Sequence, residues 1–135
     1  MRILFILLAL VCSLSANAKK DEIVKVYLFG VATTFNDSIV IMTDINSIDS
    51  AYVKNGTLPE RVIYSYQLED YLETICKKPG ATVAVIWGTD RKSVEKDFLK
   101  VRKRFLQDKT TKLEALPEEK FRFRRVDHIV TAPLQ

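Results

Sequence analysis

The run TVAVIWGTDRKSVEKDFLKVRKRFLQ, residues 82–107, decides the fold. Its opening, Thr82 to Trp87, carries no charge and is bounded by Gly80 and Gly88, the pattern of a short strand covered on both faces. Asp90 then stands where a helix N-cap is needed. From Arg91 to Gln107 the residues Val94, Phe98, Val101 and Phe105 recur at helical spacing, with Leu99 and Leu106 beside them. A buried strand handing over to an amphipathic helix requires a sheet for both to pack on, which sets the class as mixed α and β.

Working outward, Tyr64, Leu68, Tyr71, Leu72 and Ile75 predict an earlier helix, stopped by Lys77-Lys78-Pro79-Gly80. Its start is open between a capping box at Thr57-Leu58-Pro59-Glu60 and a later one near Ser65, because Arg61-Val62-Ile63-Tyr64 has strand-like composition. Ile23 to Val31 reads as a strand with apolar groups on both sides, and so an internal one. Ser38 to Thr43 is a second strand, joined to the first as a hairpin through Asn36-Asp37. Asp44 to Gly56 turns polar and ends at the Asn55-Gly56 turn signal. Beyond the second helix, Lys109 to Glu119 reads as a polar connector. Lys120 to Val126 sets Phe121 and Phe123 against Arg122 and Arg124 as a half-exposed strand, and Asp127 to Gln135 as an irregular surface tail. The order is ββαβαβ. The expectation is an α+β two-layer sandwich, with about four strands in one sheet and two helices on one face.

The first eighteen residues read as a secretory signal peptide. Arg2 gives a positive start, Ile3 to Val11 an apolar run, and Ala16-Asn17-Ala18 the small-x-small cleavage pattern, so residues 19–135 form the mature domain. The apolar run is shorter than the roughly 20 residues that span a bilayer. A lipoprotein acylated at Cys12 is the alternative, although Val11 stands where a lipobox prefers a small residue. The reading places the chain in the periplasm or outside the cell. Cleavage removes Arg2 from the 21 basic side chains and leaves all 17 acidic ones, a mild positive excess, and Cys76 becomes the sole thiol. Cys76 falls in the first helical segment, where a lone thiol is usually a small core hydrophobe.

Few residues suggest chemistry. The single histidine, His128, has no nucleophile elbow upstream, and one Cys with one His cannot close a zinc site. Asp44-Ile45-Asn46-Ser47-Ile48-Asp49 has some of the oxygen spacing of a calcium loop but lacks its glycine, and reads as a polar loop bonding its own backbone. The Trp87-Gly88-Thr89-Asp90 turn could hold an anion at a helix N-terminus, but the Asp90 carboxylate would occupy that position. No cofactor or metal site is expected, and an enzymatic role is less favoured than a binding one.

The most suggestive feature is charge. The second helix shows Arg91, Lys92, Lys96, Lys100, Arg102, Lys103, Arg104 and Lys109 on its polar sides, and the last strand adds Arg122, Arg124 and Arg125. Lys96, Lys100, Lys103, Arg122 and Arg124 are the expected anion or partner surface. With Tyr27 and Phe29 on a neighbouring strand they imitate an aromatic-plus-basic RNA-binding sheet, but the export signal argues against nucleic acid and for another envelope protein, an anionic glycan or a lipid surface. The ordinary reading of the same residues is a solvated helix face moderated by Glu95, Asp97 and Asp108.

The stretch Lys25-Val26-Tyr27-Leu28-Phe29-Gly30, continued by Phe35-Asn36-Asp37-Ser38-Ile39-Val40 and Thr43-Asp44-Ile45, and later Tyr64-Ser65-Tyr66-Gln67-Leu68, resembles uncharacterised small exported proteins of Bacteroidales bacteria. The resemblance implies a Gram-negative envelope or secreted setting and transfers no catalytic residue. Three functions are therefore expected in descending order. First comes an exported binding domain of unknown partner. Second is a small envelope-acting hydrolase or transferase with a site near Asp44, Gly88 and His128. Third is a subunit whose sheet edge or apolar face is completed by a partner.

Overall fold

The computed structural model describes residues 21–34 and 38–127. The expected leader, the Asn36-Asp37 turn, His128 and the remainder of the expected tail lie outside them. The elements are β1 (Glu22–Thr33), β2 (Ile39–Thr43), β3 (Asn46–Val53), α1 (Arg61–Thr74), β4 (Thr82–Gly88), α2 (Arg91–Gln107) and β5 (Lys112–Leu116). The class is α+β, with one mixed sheet of five strands rather than about four.

β1 is the central strand, as its two apolar faces predict. Thr33 lies between Val40 of β2 and Thr82 of β4, and Leu28 lies between Asn46 of β3 and Trp87 of β4. Thus β2 and β3 run along one edge of β1, both antiparallel to it, and β4 runs antiparallel along the other. β5 adds in parallel outside β2, with Lys112 N–H donating to the Ser38 carbonyl (2.6 Å) and Asp44 N–H to that of Leu116 (3.2 Å) at its ends. β4 is therefore a sheet edge, and only Val85 of it is buried. The expectation of a strand covered on both faces is corrected, because an apolar run cannot tell an interior strand from an edge one.

The expectation of two helices on one face is also corrected. Val26, Leu28 and Ala32 of β1 share a core with Tyr64, Leu68 and Leu72 of α1, whereas Phe29 and Val31 pack with Val94, Phe98 and Val101 of α2. Successive strand residues face opposite ways, so the helices cover opposite sides of the sheet. The physical reason is visible in β1. A strand apolar on both faces needs cover on both, and moving α2 beside α1 would expose Phe29, a cost of about 1.5–3 kcal/mol for that side chain alone.

The expected strand Lys120–Val126 is not in the sheet. Its alternation is real, with Phe121 and Phe123 buried and the arginines outside, but its backbone is satisfied by side chains. Asn46 Oδ1 accepts Phe123 N–H (2.8 Å) and the Tyr64 hydroxyl oxygen accepts Val126 N–H (3.2 Å). The Gln67 amide accepts Arg124 N–H (2.8 Å) and donates to the Arg124 carbonyl (2.9 Å). The last strand is instead β5, inside the expected connector. β3 lies in the stretch read as polar.

Local chemistry sets the helix ends. Asn55 and Gly56 both have positive φ (50° and 75°), and Lys54 and Thr57 exchange backbone bonds of 2.9 Å, the two-residue turn that Asn-Gly favours. The Thr57 hydroxyl donates back to the Lys54 carbonyl (2.6 Å), so no capping box forms, and α1 begins at Arg61 with Glu60 as N-cap. Gly30 sits where α1 crosses β1. A methyl group there would fall 2.5 Å from Leu68 Cδ2 and 3.2 Å from Phe123 Cζ, so only glycine lets the layers meet this closely.

Candidate functional site

The two parts of the expected cationic surface stand on opposite sides of the sheet. Lys96, Lys100 and Lys103 are exposed on α2. Arg122 and Arg124 belong to the segment whose phenylalanines enter the α1-side core, and they face a groove beside α1. Sheet topology, not charge spacing, separates them.

On α2, seven cations stand against two carboxylates within Arg91–Gln107. Arg91 is engaged twice, with Glu95 at 3.0 Å and over the Tyr27 ring at 5.8 Å. Among the described residues Lys96, Lys100 and Lys103 make no ion pair. At 100° per residue, Lys92, Lys96, Leu99, Lys103 and Leu106 fall on the side opposite Val94, Phe98 and Phe105. Leu99 and Leu106 are each 60% exposed, so the outward side of α2 alternates cations with bare leucines.

Tyr27 and Phe29 do not form the expected aromatic platform. Phe29 is fully buried, its ring edge-on to Phe98 at 5.2 Å. Tyr27 is half-buried and flanked by Lys25 and Arg91, each 5.8 Å from its ring centre.

On the opposite side, the groove beside α1 has a volume of about 500 Å³ and is lined by Gln67, Asp70, Tyr71, Lys120, Arg122 and Arg124. Its charges are mixed, and Arg122 is held by Glu118 at 3.4 Å. A neighbouring cavity of about 410 Å³ runs under the last turn of α1 and meets Cys76, which is half-buried and packed against the core. No helix among the described residues is long and apolar enough to cross a membrane.

Groups with displaced protonation are scattered. Hydrogen bonds from Ser93 and Thr110 hold the Asp90 and Asp108 carboxyls below their usual range, one at each end of α2. The hydrogen bond to Asp21 raises Tyr52 at the far end of β3, and burial raises Tyr64 in the core. The Asp90 carboxylate accepts the Ser93 hydroxyl at 2.8 Å, so a negative charge already stands at this helix start. Asp44 and Asp49 also serve separate ends. Asp44 accepts Glu118 N–H at 3.0 Å, while Asp49 is exposed and 3.8 Å from Lys25.

Sequence reasoning missed the residues that hold the C-terminal segment, Asn46, Gln67 and Asp44. Only Asn46 carried a signal, a polar side chain at an inward strand position. The chain is thus an α+β domain with a mixed sheet between two helices, α2 strongly cationic and α1 carrying Glu69, Asp70 and Glu73 against Arg61. Compared with protein-family models, with curated proteins and with solved structures, it matches none.

Proposed function

We propose that this chain is an exported interaction domain of the bacterial envelope or its surroundings, and that it holds clustered phosphate or carboxylate groups, of a lipid surface or an acidic glycan, on the outward side of α2. The observation that carries the reading is the set Lys96, Lys100 and Lys103, exposed on one helix and without ion pairs among the described residues. Leu99 and Leu106 between them add apolar contact at an interface. The dispersal of the displaced carboxyls and phenols over separate regions supports binding over catalysis, because a catalytic site gathers such groups in one cleft.

The test is binding to vesicles containing anionic lipid and, in parallel, to an immobilised acidic glycan. Each lysine near an anionic surface contributes about 1 kcal/mol, so replacing Lys96, Lys100 and Lys103 together by glutamine should weaken binding roughly a hundredfold at low salt. Wild-type binding should fall steeply as salt rises. Retention indifferent to salt, or unchanged in the triple variant, refutes the proposal. Export is checked by mass spectrometry of the secreted chain, which should begin at Lys19. A diacylglyceryl group on Cys12 would make it a lipoprotein instead.

A further inference from the structure

Among the described residues the sheet has three outer edges, and they differ in how each is protected from pairing with another strand. β5 carries Lys112 and Glu114. β3 carries Asp49, and its register against β1 is broken between Val24 and Val26. Charges and bulges of this kind are the usual means of keeping an edge from accepting a further strand. β4 has neither. TVAVIWG contains no charged residue and no proline, and it runs seven residues in unbroken register against β1. Thr82 and Ala84 are exposed, and among the described residues no hydrogen bond reaches β4 from outside its ladder with β1. Its outward N–H and C=O groups must meet water or another strand.

We infer that the β4 edge is an interface with a second copy of this chain, formed by antiparallel pairing of β4 with β4 about a two-fold axis at Val85. In that register Thr82 pairs with Gly88 of the second copy, and Ala84 with Ile86 of the second copy. No like charges meet along the seam, because the strand has none. A groove of about 450 Å³ lies along the middle of the same edge, between Leu58, Pro59, Arg61, Val62 and Ser65 of the α1 approach and Val83–Val85 of the strand. Its position near the axis brings Val62, 55% exposed in the single chain, toward Val62 of the second copy above the seam. The two neutral, self-complementary strands thus supply both the hydrogen bonds and the apolar cover that the edge needs, and a two-fold contact closes on itself without forming a filament. The axis is perpendicular to the sheet, so both α2 helices emerge on one side and double the cationic face. The inference stands on the edge itself and not on what α2 binds.

Sedimentation of the purified protein at micromolar concentrations should show a dimer. Ala84→Lys places two lysines diagonally across the seam and should weaken association at least tenfold, with far-UV circular dichroism unchanged and the melting temperature lowered only by the lost stabilisation of the dimer. A spin label on Thr82→Cys, in a Cys76→Ser background, should report a backbone separation of about 20 Å between copies, since six strand positions at ~3.4 Å each divide the two sites. This distance tests the register even if Ala84→Lys fails to fold. A monomer, a dimer indifferent to Ala84→Lys, or a label distance far from that value overturns the inference. So does an association abolished by salt, which would indicate α2 of one copy resting on Glu69, Asp70 and Glu73 of α1 in another.

Discussion

Replacing Asn46 by alanine should release the C-terminal segment from the sheet. Asn46 is 1% exposed. Its Oδ1 accepts Phe123 N–H at 2.8 Å and its Nδ2 donates to the Asp44 carbonyl at 3.0 Å. After truncation the Asp44 carbonyl keeps the Thr43 hydroxyl at 2.9 Å, but the buried Phe123 N–H loses the one partner the structure gives it. Leaving a buried donor unpaired costs about 1–3 kcal/mol, and loss of the second bond about 0.5–1.5 more. An expected destabilisation of about 2–3 kcal/mol corresponds to a fall in Tm on the order of 10–15 °C for a domain of this size. Urea denaturation measures the total, and hydrogen exchange locates it. The amides of Phe123, Arg124 and Val126 should lose protection well before those of β1. Asn46→Asp sharpens the test. Burial beside the Asp44 carbonyl would raise that carboxyl above its usual range, so its penalty is present at neutral pH and is relieved as pH falls through the raised value. A change within about 0.5 kcal/mol in Asn46→Ala, or unaltered exchange in the segment, would refute the idea that side chains replace a strand partner here.

Two other outcomes follow from the core. Gly30→Ala should destabilise by about 1–3 kcal/mol in denaturant titration, because the buried Leu68 and Phe123 side chains must shift to admit the added methyl. Tyr64 has its pKa raised by burial above the ordinary 10.0. Its contribution is intact below that value and is lost as pH climbs through the higher folded one. Alkaline unfolding followed by tyrosinate absorbance should therefore show a step in stability that Tyr64→Phe removes.

How much was legible depended on where each element finds its partners. The Asn55-Gly56 turn and the α2 stripe are local, and the structure has both as read. β3 was hidden because Ser47, Asp49 and Ser50 face outward and the register break disturbs a two-residue period. β5 was hidden because KLEAL is short and its parallel partner lies far back in the chain, at Ile39–Thr43. In the candidate site, exposure of Lys96, Lys100 and Lys103 was readable from helical spacing. The separation of Arg122 and Arg124 from them was not, because it depends on which face of the sheet each segment reaches.

The sequence by itself determined what short-range physics governs: a two-sided apolar first strand, the turn residues, a cationic helix with one apolar stripe, and the phenylalanine-arginine alternation near the end. Tertiary structure alone decided that β4 lies at an edge, that the helices cover opposite faces, and that Asn46, Gln67 and Tyr64 stand in for a strand beside Phe123 to Val126. Side-chain periodicity reports whether a face is buried, and hydrogen-bond partners are chosen only when distant segments meet.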